Sequence, residues 1–188
     1  MLQSKYLTEI DLKDFGFKSL GKNVKISSDA RIYNPEKISI GDNVRIDDFS
    51  ILSASEGYID IGDNVFLARN AHLSGHYGIK IDSFVSLAAN VVIYSASDDY
   101  SGKNLTGQAI PPKYTSYTGG VVSIGKHVII GTGTVVLGKT NIGEGVSVGS
   151  ASLVTKDLEP WGIFAGIPCI KIKDRKKDLL SLEKEFKK

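Results

Sequence analysis

Ile124-Gly-Lys-His-Val-Ile, Ile130-Gly-Thr-Gly-Thr-Val, Val136-Leu-Gly-Lys-Thr-Asn, Ile142-Gly-Glu-Gly-Val-Ser, Val148-Gly-Ser-Ala-Ser-Leu and Val154-Thr-Lys-Asp-Leu-Glu follow one another in an unbroken frame of six. An aliphatic residue opens each hexad, glycine comes second in four of the six, and a small or β-branched residue stands fifth in five. A six-residue period is the signature of a parallel β-helix. Strand alternation sends positions one and five to the same face, where a large and a small side chain together fill a narrow interior. Glycine at position two suits a corner between short flat strands, where a side chain would clash or φ must turn positive. Each rung leaves its backbone groups and apolar edge unsatisfied until another stacks on it, so several are needed. Buried strands of an ordinary sheet would show variable spacing and hairpin turns instead.

The same frame extends backwards. Hexad sets open at Leu20, Ile40, Ile61 and Ile81 as well as at Ile124 and Ile142, a spacing of about eighteen residues with one large exception. Three hexads per turn give a triangular coil of about six turns. The fold class is therefore β-dominated, with one domain over 1–188: an N-terminal cap over 1–19, coils over 20–93 and 121–160, a protruding loop over 94–120, and a C-terminal segment and helix over 161–188.

In the cap, Thr8 precedes Glu9-Ile-Asp11-Leu12, and Gly16 follows, which predicts a short helix of about two turns. Phe15 and Phe17 are placed to seat it over the open end of the coil. The exception in spacing, Tyr94 to Gly120, contains no hexad but holds Pro111-Pro112 and four of the eight tyrosines. A long ordered loop inside a compact repeat is usually functional, here an arm that reaches a neighbour. Leu179, Leu182 and Phe186, at helical spacing, predict a helix over 172–186, with Arg175-Lys176-Lys177 as its solvated face.

A length of 188 residues fits one domain with a substantial core. The net charge of +2 gives no case for nucleic acid, although residues 171–188 carry eight Lys/Arg against four Asp/Glu, a local +4. The single Cys169 excludes an internal disulfide, fits a reducing compartment, and reads as a small buried residue rather than a nucleophile. No run of eighteen apolar residues predicts a membrane span, and no signal peptide is evident, so cytoplasm is the expected location.

The hexads at 124–155, the loop before them, and the exit Val154-Thr-Lys-Asp-Leu-Glu-Pro-Trp-Gly-Ile-Phe-Ala-Gly-Ile-Pro together resemble the hexapeptide-repeat acyltransferases. The likeness covers about residues 20 to 175 and is nearest to the maltose/galactoside and sugar O- or N-acetyltransferase branch. It implies a left-handed parallel β-helix and a homotrimer whose active sites lie between subunits, each closed by a protruding loop. It implies acetyl-CoA as co-substrate, no metal, and a sugar or nucleotide-sugar acceptor that attacks the thioester directly, in surface polysaccharide biosynthesis.

Carried over by position, Thr132 and Ser150 stand where the family has small residues beside the pantetheine, and Thr155 and Lys156 match directly. Lys173 stands where an arginine near the nucleotide end is common, whereas a further basic position is Ile170. Lys156 and Lys173 would meet phosphate charge. Asn70 and Tyr100 are the candidate acceptor contacts.

The histidine that opens the family's loop is missing: the run is Ser95-Ala-Ser-Asp98-Asp99-Tyr100. Catalytic candidates are therefore His76, at a position where the family carries a substrate-binding Asp, and Asp98 and Asp99, best able to accept a proton with a raised pKa in a covered groove. A sugar hydroxyl needs a positioned base, whereas an amine can be neutral near pH 8, so the gap favours an amino-sugar acceptor or an inactive relative. His127 reads as structural or solvated, and His72 as a surface residue. Two other readings stand beside the transferase. One is a non-catalytic assembly module. The other is a zinc hydratase of the carbonic anhydrase type, for which His72 and His76 are poorly spaced on a coil.

Overall fold

The computed structural model describes residues 5–188, across which the hexads wind into three stacked parallel sheets. Face one takes Ser19–Leu20, Ile38–Ile40, Ile59–Ile61, Ile79–Ile81, Val122–Ile124 and Asn141–Ile142 in that order. Face two takes Lys25–Ile26, Arg45–Ile46, Phe66–Leu67, Ser86–Leu87, Ile129–Ile130, Ser147–Val148 and Gly162–Ala165. Face three takes Arg31–Tyr33, Ile51–Ser53, His72–Ser74, Val92–Tyr94, Val135–Val136 and Leu153–Val154. The coil thus completes six turns and enters a seventh. Hexad openers pair with openers: Ile40 with Ile61, Ile61 with Ile81, Ile81 with Ile124, and Ile124 with Ile142. The chain leaves the coil after Tyr94 and returns at Val122 without losing register.

The interior is a column of aliphatics. Ile46, Leu67, Leu87 and Ile130 on face two, and Leu52, Leu73, Ile93 and Val136 on face three, are fully buried. Each such side chain stabilises the fold by about 1.5–3 kcal/mol on burial. Among the described residues no buried side-chain nitrogen or oxygen lacks a hydrogen-bond partner.

The corners resolve what the second-position glycines do. A Cβ on Gly62 would lie 2.8 Å from the nitrogen of Ser83 in the next turn, and one on Gly125 2.7 Å from that of Glu144. Close stacking, not left-handed backbone, requires glycine there. Left-handed φ falls instead on the fourth residue of the opening hexad: Asn23, Asn43, Asn64, Phe84 and His127, at 55–62°. Asparagine tolerates that region better than most residues, and the stacked asparagines also meet between turns, Asn23 Nδ2 donating to Asn43 Oδ1 at 3.1 Å.

At the N-terminal end, α1 (Glu9–Asp14) is held by a reciprocal capping box between Thr8 and Asp11. Its Leu12 is buried on the first turn, with Phe17 packed beside it and Phe15 stacked on Phe17. At the other end the structure corrects the expected helix over 172–186. Ile170–Asp174 form a strand antiparallel to Gly162–Ala165, and α2 covers only Leu179–Phe186. Alternating Ile and Lys at 170–173 suit a strand, and the free edge of face two supplies its partner. Arg175 is not on a solvated helix face: its Nη1 donates to the carbonyls of His127 at 2.8 Å and Gly145 at 3.1 Å.

Candidate active site

The arm over 94–120 leaves face three through Ser95 and comes back at Gly120. Ser95 is fully buried. Its Oγ accepts from the Tyr77 nitrogen at 2.9 Å and donates to the Ser74 carbonyl at 2.9 Å. Its own carbonyl accepts from the Gly120 nitrogen at 2.9 Å. Beyond this root the stems pair as a two-stranded antiparallel ribbon, Ala96–Asp98 with Tyr117–Gly119, in which Asp98 is opposite Tyr117.

Two of the predicted carboxylates lie at the end of that ribbon and differ in use. Asp98 is half-buried and accepts one bond, from the Gly107 nitrogen at 3.2 Å. Asp99 accepts three: from the Ser101 nitrogen at 2.8 Å, the Asn104 nitrogen at 3.1 Å and Asn104 Nδ2 at 2.8 Å. Bonds from Ser101 and then Asn104 hold its pKa down at about 2, the reverse of the raised value a proton acceptor needs. Asp99 closes the turn that follows the ribbon.

His76 comes to the same place from the preceding turn. Its ring lies 4.9 Å from Tyr77 and 5.2 Å from Tyr117, centroid to centroid. The Tyr77 hydroxyl donates to the Tyr117 carbonyl at 3.2 Å. Tyr117 is thus flanked by His76 through its ring and by Asp98 across the ribbon, which brings two sequence candidates to one element. Ser95, Tyr77 and Tyr117, which make the junction, escaped the sequence reading. The pair of glycines at 119–120 was the available signal.

His72 projects from face three, half-buried, against the Tyr94 ring at 5.2 Å, and burial lowers its pKa. It is less of a surface residue than expected. His127 is buried beneath α2, stacked on Phe84 and bonded through Nε2 to Glu183 at 2.7 Å, a structural role. Cys169 is half-buried, and desolvation raises its thiol pKa. Among the described residues no three His, Cys, Asp or Glu side chains form a group able to hold a metal.

The donor-side candidates are spread over the coil. Thr132 and Ser150 occupy the corner between faces two and three, one turn apart, and the Ala151 nitrogen donates to the Thr132 carbonyl at 2.8 Å. Asn70 lies in the same column of corners, two turns below Thr132, with a left-handed φ of 58°. Thr155 and Lys156 are exposed at the far end of face three, past Leu153–Val154. Lys173 lies on the antiparallel strand of face two, opposite Ile163. Tyr100, at the tip of the arm, is 92% exposed. One chain does not gather these residues into a single cleft.

No family model matches the chain. It is 45% identical over 182 residues to the dTDP-4-amino-4,6-dideoxy-D-glucose acyltransferase of Escherichia coli, an alignment covering 97% of this chain and 95% of that one. It superposes with a TM-score of 0.93 and 43% identity on AntD, an N-acyltransferase from Bacillus cereus solved with dTDP and 3-hydroxybutyryl-CoA, over 98% of this chain and 97% of that one. A maltose O-acetyltransferase from Clostridium difficile 630 matches with a TM-score of 0.63 at 25% identity, over 94% of this chain and 80% of the other.

Proposed function

The chain belongs to the hexapeptide-repeat sugar acyltransferases, and from that premise we propose that it acylates the 4-amino group of a dTDP-linked 4-amino-4,6-dideoxy sugar, using a coenzyme A thioester. One observation carries the choice of amine over hydroxyl: the ribbon carries the Asp98 carboxylate three residues beyond the arm root, and the run from Ser95 to Tyr100 contains no imidazole. A carboxylate is too weak a base to prepare a sugar hydroxyl, yet suffices to take the surplus proton from an amine that has already attacked. The relative acting on a dTDP-4-amino sugar and the neighbour solved with dTDP and an acyl-CoA point the same way.

In this reading the neutral amine attacks the thioester carbonyl carbon and a C–N bond forms. The surplus proton passes to Asp98, the C–S bond breaks, and the proton reaches the departing thiolate. The products are the amide and free coenzyme A. His76 hydrogen-bonds the acceptor beside Tyr117. Asp99, held near 2, is too weak a base to share this work and keeps the arm in shape. Tyr100 and Asn70 reach the acceptor, Thr132 and Ser150 line the pantetheine, and Thr155, Lys156 and Lys173 serve its polar and phosphate end.

Because these residues lie on different corners, the site is assembled by a homotrimer, in which a corner of one copy faces the arm of the next. A cytoplasmic location suits a donor and acceptor of this kind, and the acylated nucleotide sugar would feed surface polysaccharide synthesis. Among the described residues no helix is long and apolar enough to cross a membrane.

The test measures thiol release with acetyl-CoA or 3-hydroxybutyryl-CoA against dTDP-4-amino-4,6-dideoxyglucose and its 4-hydroxyl counterpart. Turnover is expected with the amine alone. Asp98→Asn should lower kcat by about 10²–10⁴-fold while leaving the melting temperature in place. Preference for the hydroxyl sugar would overturn the amine assignment, and absence of binding to any acyl-CoA would return the chain to the assembly-module reading.

A further inference from the structure

We propose that Ser95 is a positioning residue for acyl transfer: it locks both stems of the arm to the corner that carries His76, and so sets where Asp98 stands. The proposal rests on the reading of Asp98 as proton acceptor.

The coil shows that this hydroxyl is not there for packing. Strand register places Tyr94 on Ser74 and Ser74 on Ser53, and aligns Val92–Ile93 with Val135–Val136. The residues next along the four middle turns are therefore Ala54, Gly75, Ser95 and Gly138, with Asn34 and Lys156 at the two ends of the column. Within the middle of the column every residue is small, and Ser95 alone among those four adds a polar group. That group is fully buried, where an unpaired hydroxyl would be costly. It is spent on the Tyr77 nitrogen and the Ser74 carbonyl, the two sides of the corner that contains His76. The Ser95 carbonyl meanwhile takes the Gly120 nitrogen, which ties the returning stem. Gly119 and Gly138 both pack so closely that a Cβ on either would fall on that carbonyl.

Among the described residues the ribbon beyond Ser95 has no third strand. An isolated two-stranded ribbon has little stability of its own, so its direction is set by its ties to the corner that carries His76: the Ser95 root and the Tyr77 hydroxyl on the Tyr117 carbonyl. Asp98 is three residues from that root, and a small tilt there is carried outward to the carboxylate. Misplacement of a reacting group by about 1 Å can lower a rate by about 10²-fold.

The experiment is a double-mutant cycle on the full chain with the amino-sugar acceptor, combining Ser95→Ala with Asp98→Asn. Ser95→Ala should lower kcat by about 10–100-fold with little change in KM for the acyl-CoA. In the Asp98→Asn background the same change should lower kcat by less than about threefold, because no carboxylate remains to be aimed. A residue that only stabilised the fold would shift the melting temperature and give equal losses in both backgrounds. Tyr77→Phe provides an independent route, since it removes the hydroxyl bond from that corner to the Tyr117 carbonyl and leaves the buried Ser95 in place. It should lower kcat in the same sense and show the same non-additivity with Asp98→Asn, including where Ser95→Ala fails to fold. Additive losses, or an unchanged kcat in both of these single variants, overturn the proposal. Full turnover of Asp98→Asn itself would instead overturn the function reading, and the role of Ser95 with it.

Discussion

Between Ile38 and Ile93 the inward side chains of the coil are at most 4% exposed, whereas the arm between Tyr94 and Gly120 leaves Tyr100, Leu105 and Tyr114 at 50% or more. The coil is held by many equivalent apolar contacts, repeated turn after turn and indifferent to which one is weakened first. The arm is held by its two-stranded pairing and by a few polar bonds, at Ser95, Tyr77, Asp98 and Asp99, that no repeat of the chain duplicates. Damage to the first region should therefore appear as lost stability, and damage to the second as lost function at nearly constant stability. The proposed chemistry sits at their junction, where the rigid part aims the adaptable one.

The sharpest separation is expected from Leu52→Ala, deep in the coil on face three. Removing a fully buried leucine side chain should destabilise the protein by about 2–5 kcal/mol. At about 2–4 °C per kcal/mol for a chain of this size, the thermal midpoint should fall by several degrees or more. Turnover per folded molecule at low temperature should stay as it was. A loss of kcat without a change in melting would break the division between the two regions.

Asp99→Asn should behave the other way round. Asparagine loses the charge that gathers the Ser101 and Asn104 nitrogens, so the turn after the ribbon loosens while the melting temperature holds within a few degrees. The expected loss is about tenfold in kcat/KM for the acceptor, together with faster tryptic cleavage at Lys103 or Lys113. The pH dependence has a definite sign. The folded pKa of about 2 lies below the ordinary carboxylate value, so the order Asp99 confers is present above that ordinary value and is lost as pH falls through about 2. Amide exchange at Ser101 and Asn104, followed from about pH 4 downwards, reads this directly.

The same contrast explains what could be seen in the sequence. Ile124, Ile130, Ile142 and Val148 announce the coil because a repeat states one physical requirement many times over. Glycine at position two was legible as a corner, yet whether it relieved a clash or a positive φ needed the stacked turn above Gly62 and Gly125. The capping box of Thr8 and Asp11 was readable because its partners are three residues apart. Asp98 and Asp99 were found as a pair but not told apart, since the difference lies in how Ser101, Asn104 and Gly107 fold back. Ser95 looked like an ordinary loop serine, because its partners at 74, 77 and 120 are remote in the chain. The helix expected over 172–186 starts too early for a related reason: the free edge that Ile170–Asp174 fills exists only once face two has formed.

At the C-terminal end, α2 offers a third case, a segment laid on the coil through the Glu183 carboxylate and the Phe186 ring, edge-to-face on Phe84 at 5.9 Å. Glu183 bonds Lys126 at 2.6 Å and His127 at 2.7 Å, and pairs with Lys187. Bonds from Lys126 and then Lys187 lower its pKa to about 2. Its hold on α2 is accordingly complete above the usual carboxylate range and lost as pH falls through about 2. Glu183→Gln should loosen the helix at neutral pH and abolish that low-pH transition. The single Trp161, whose ring is 5.2 Å beneath the Lys177 ammonium, reports the change as a red shift in emission, with the main melting transition little altered. A large drop in the midpoint would place α2 with the coil rather than with the arm.

The smallest effect is expected at the opposite end and places α1 on the same scale. Thr8 accepts from the Asp11 nitrogen at 3.2 Å, while its own nitrogen donates to the Asp11 carboxylate at 2.8 Å. These bonds start a helix of only six residues, too short to persist by itself. Leu12, buried on the first turn of the coil, is what retains it. Thr8→Ala should therefore cost about 0.5–2 kcal/mol, the usual range for a lost N-cap, because packing remains when the cap is gone. If α1 is part of the coil's cooperative unit, that loss appears as a lower denaturant midpoint with an unchanged slope. If it behaves like the arm, the midpoint stays and only the amides of residues 9–14 exchange faster. The first outcome is expected, since Leu12 closes the apolar column that Leu20 and Val24 leave open, and a repeat stack is only as stable as its end turn.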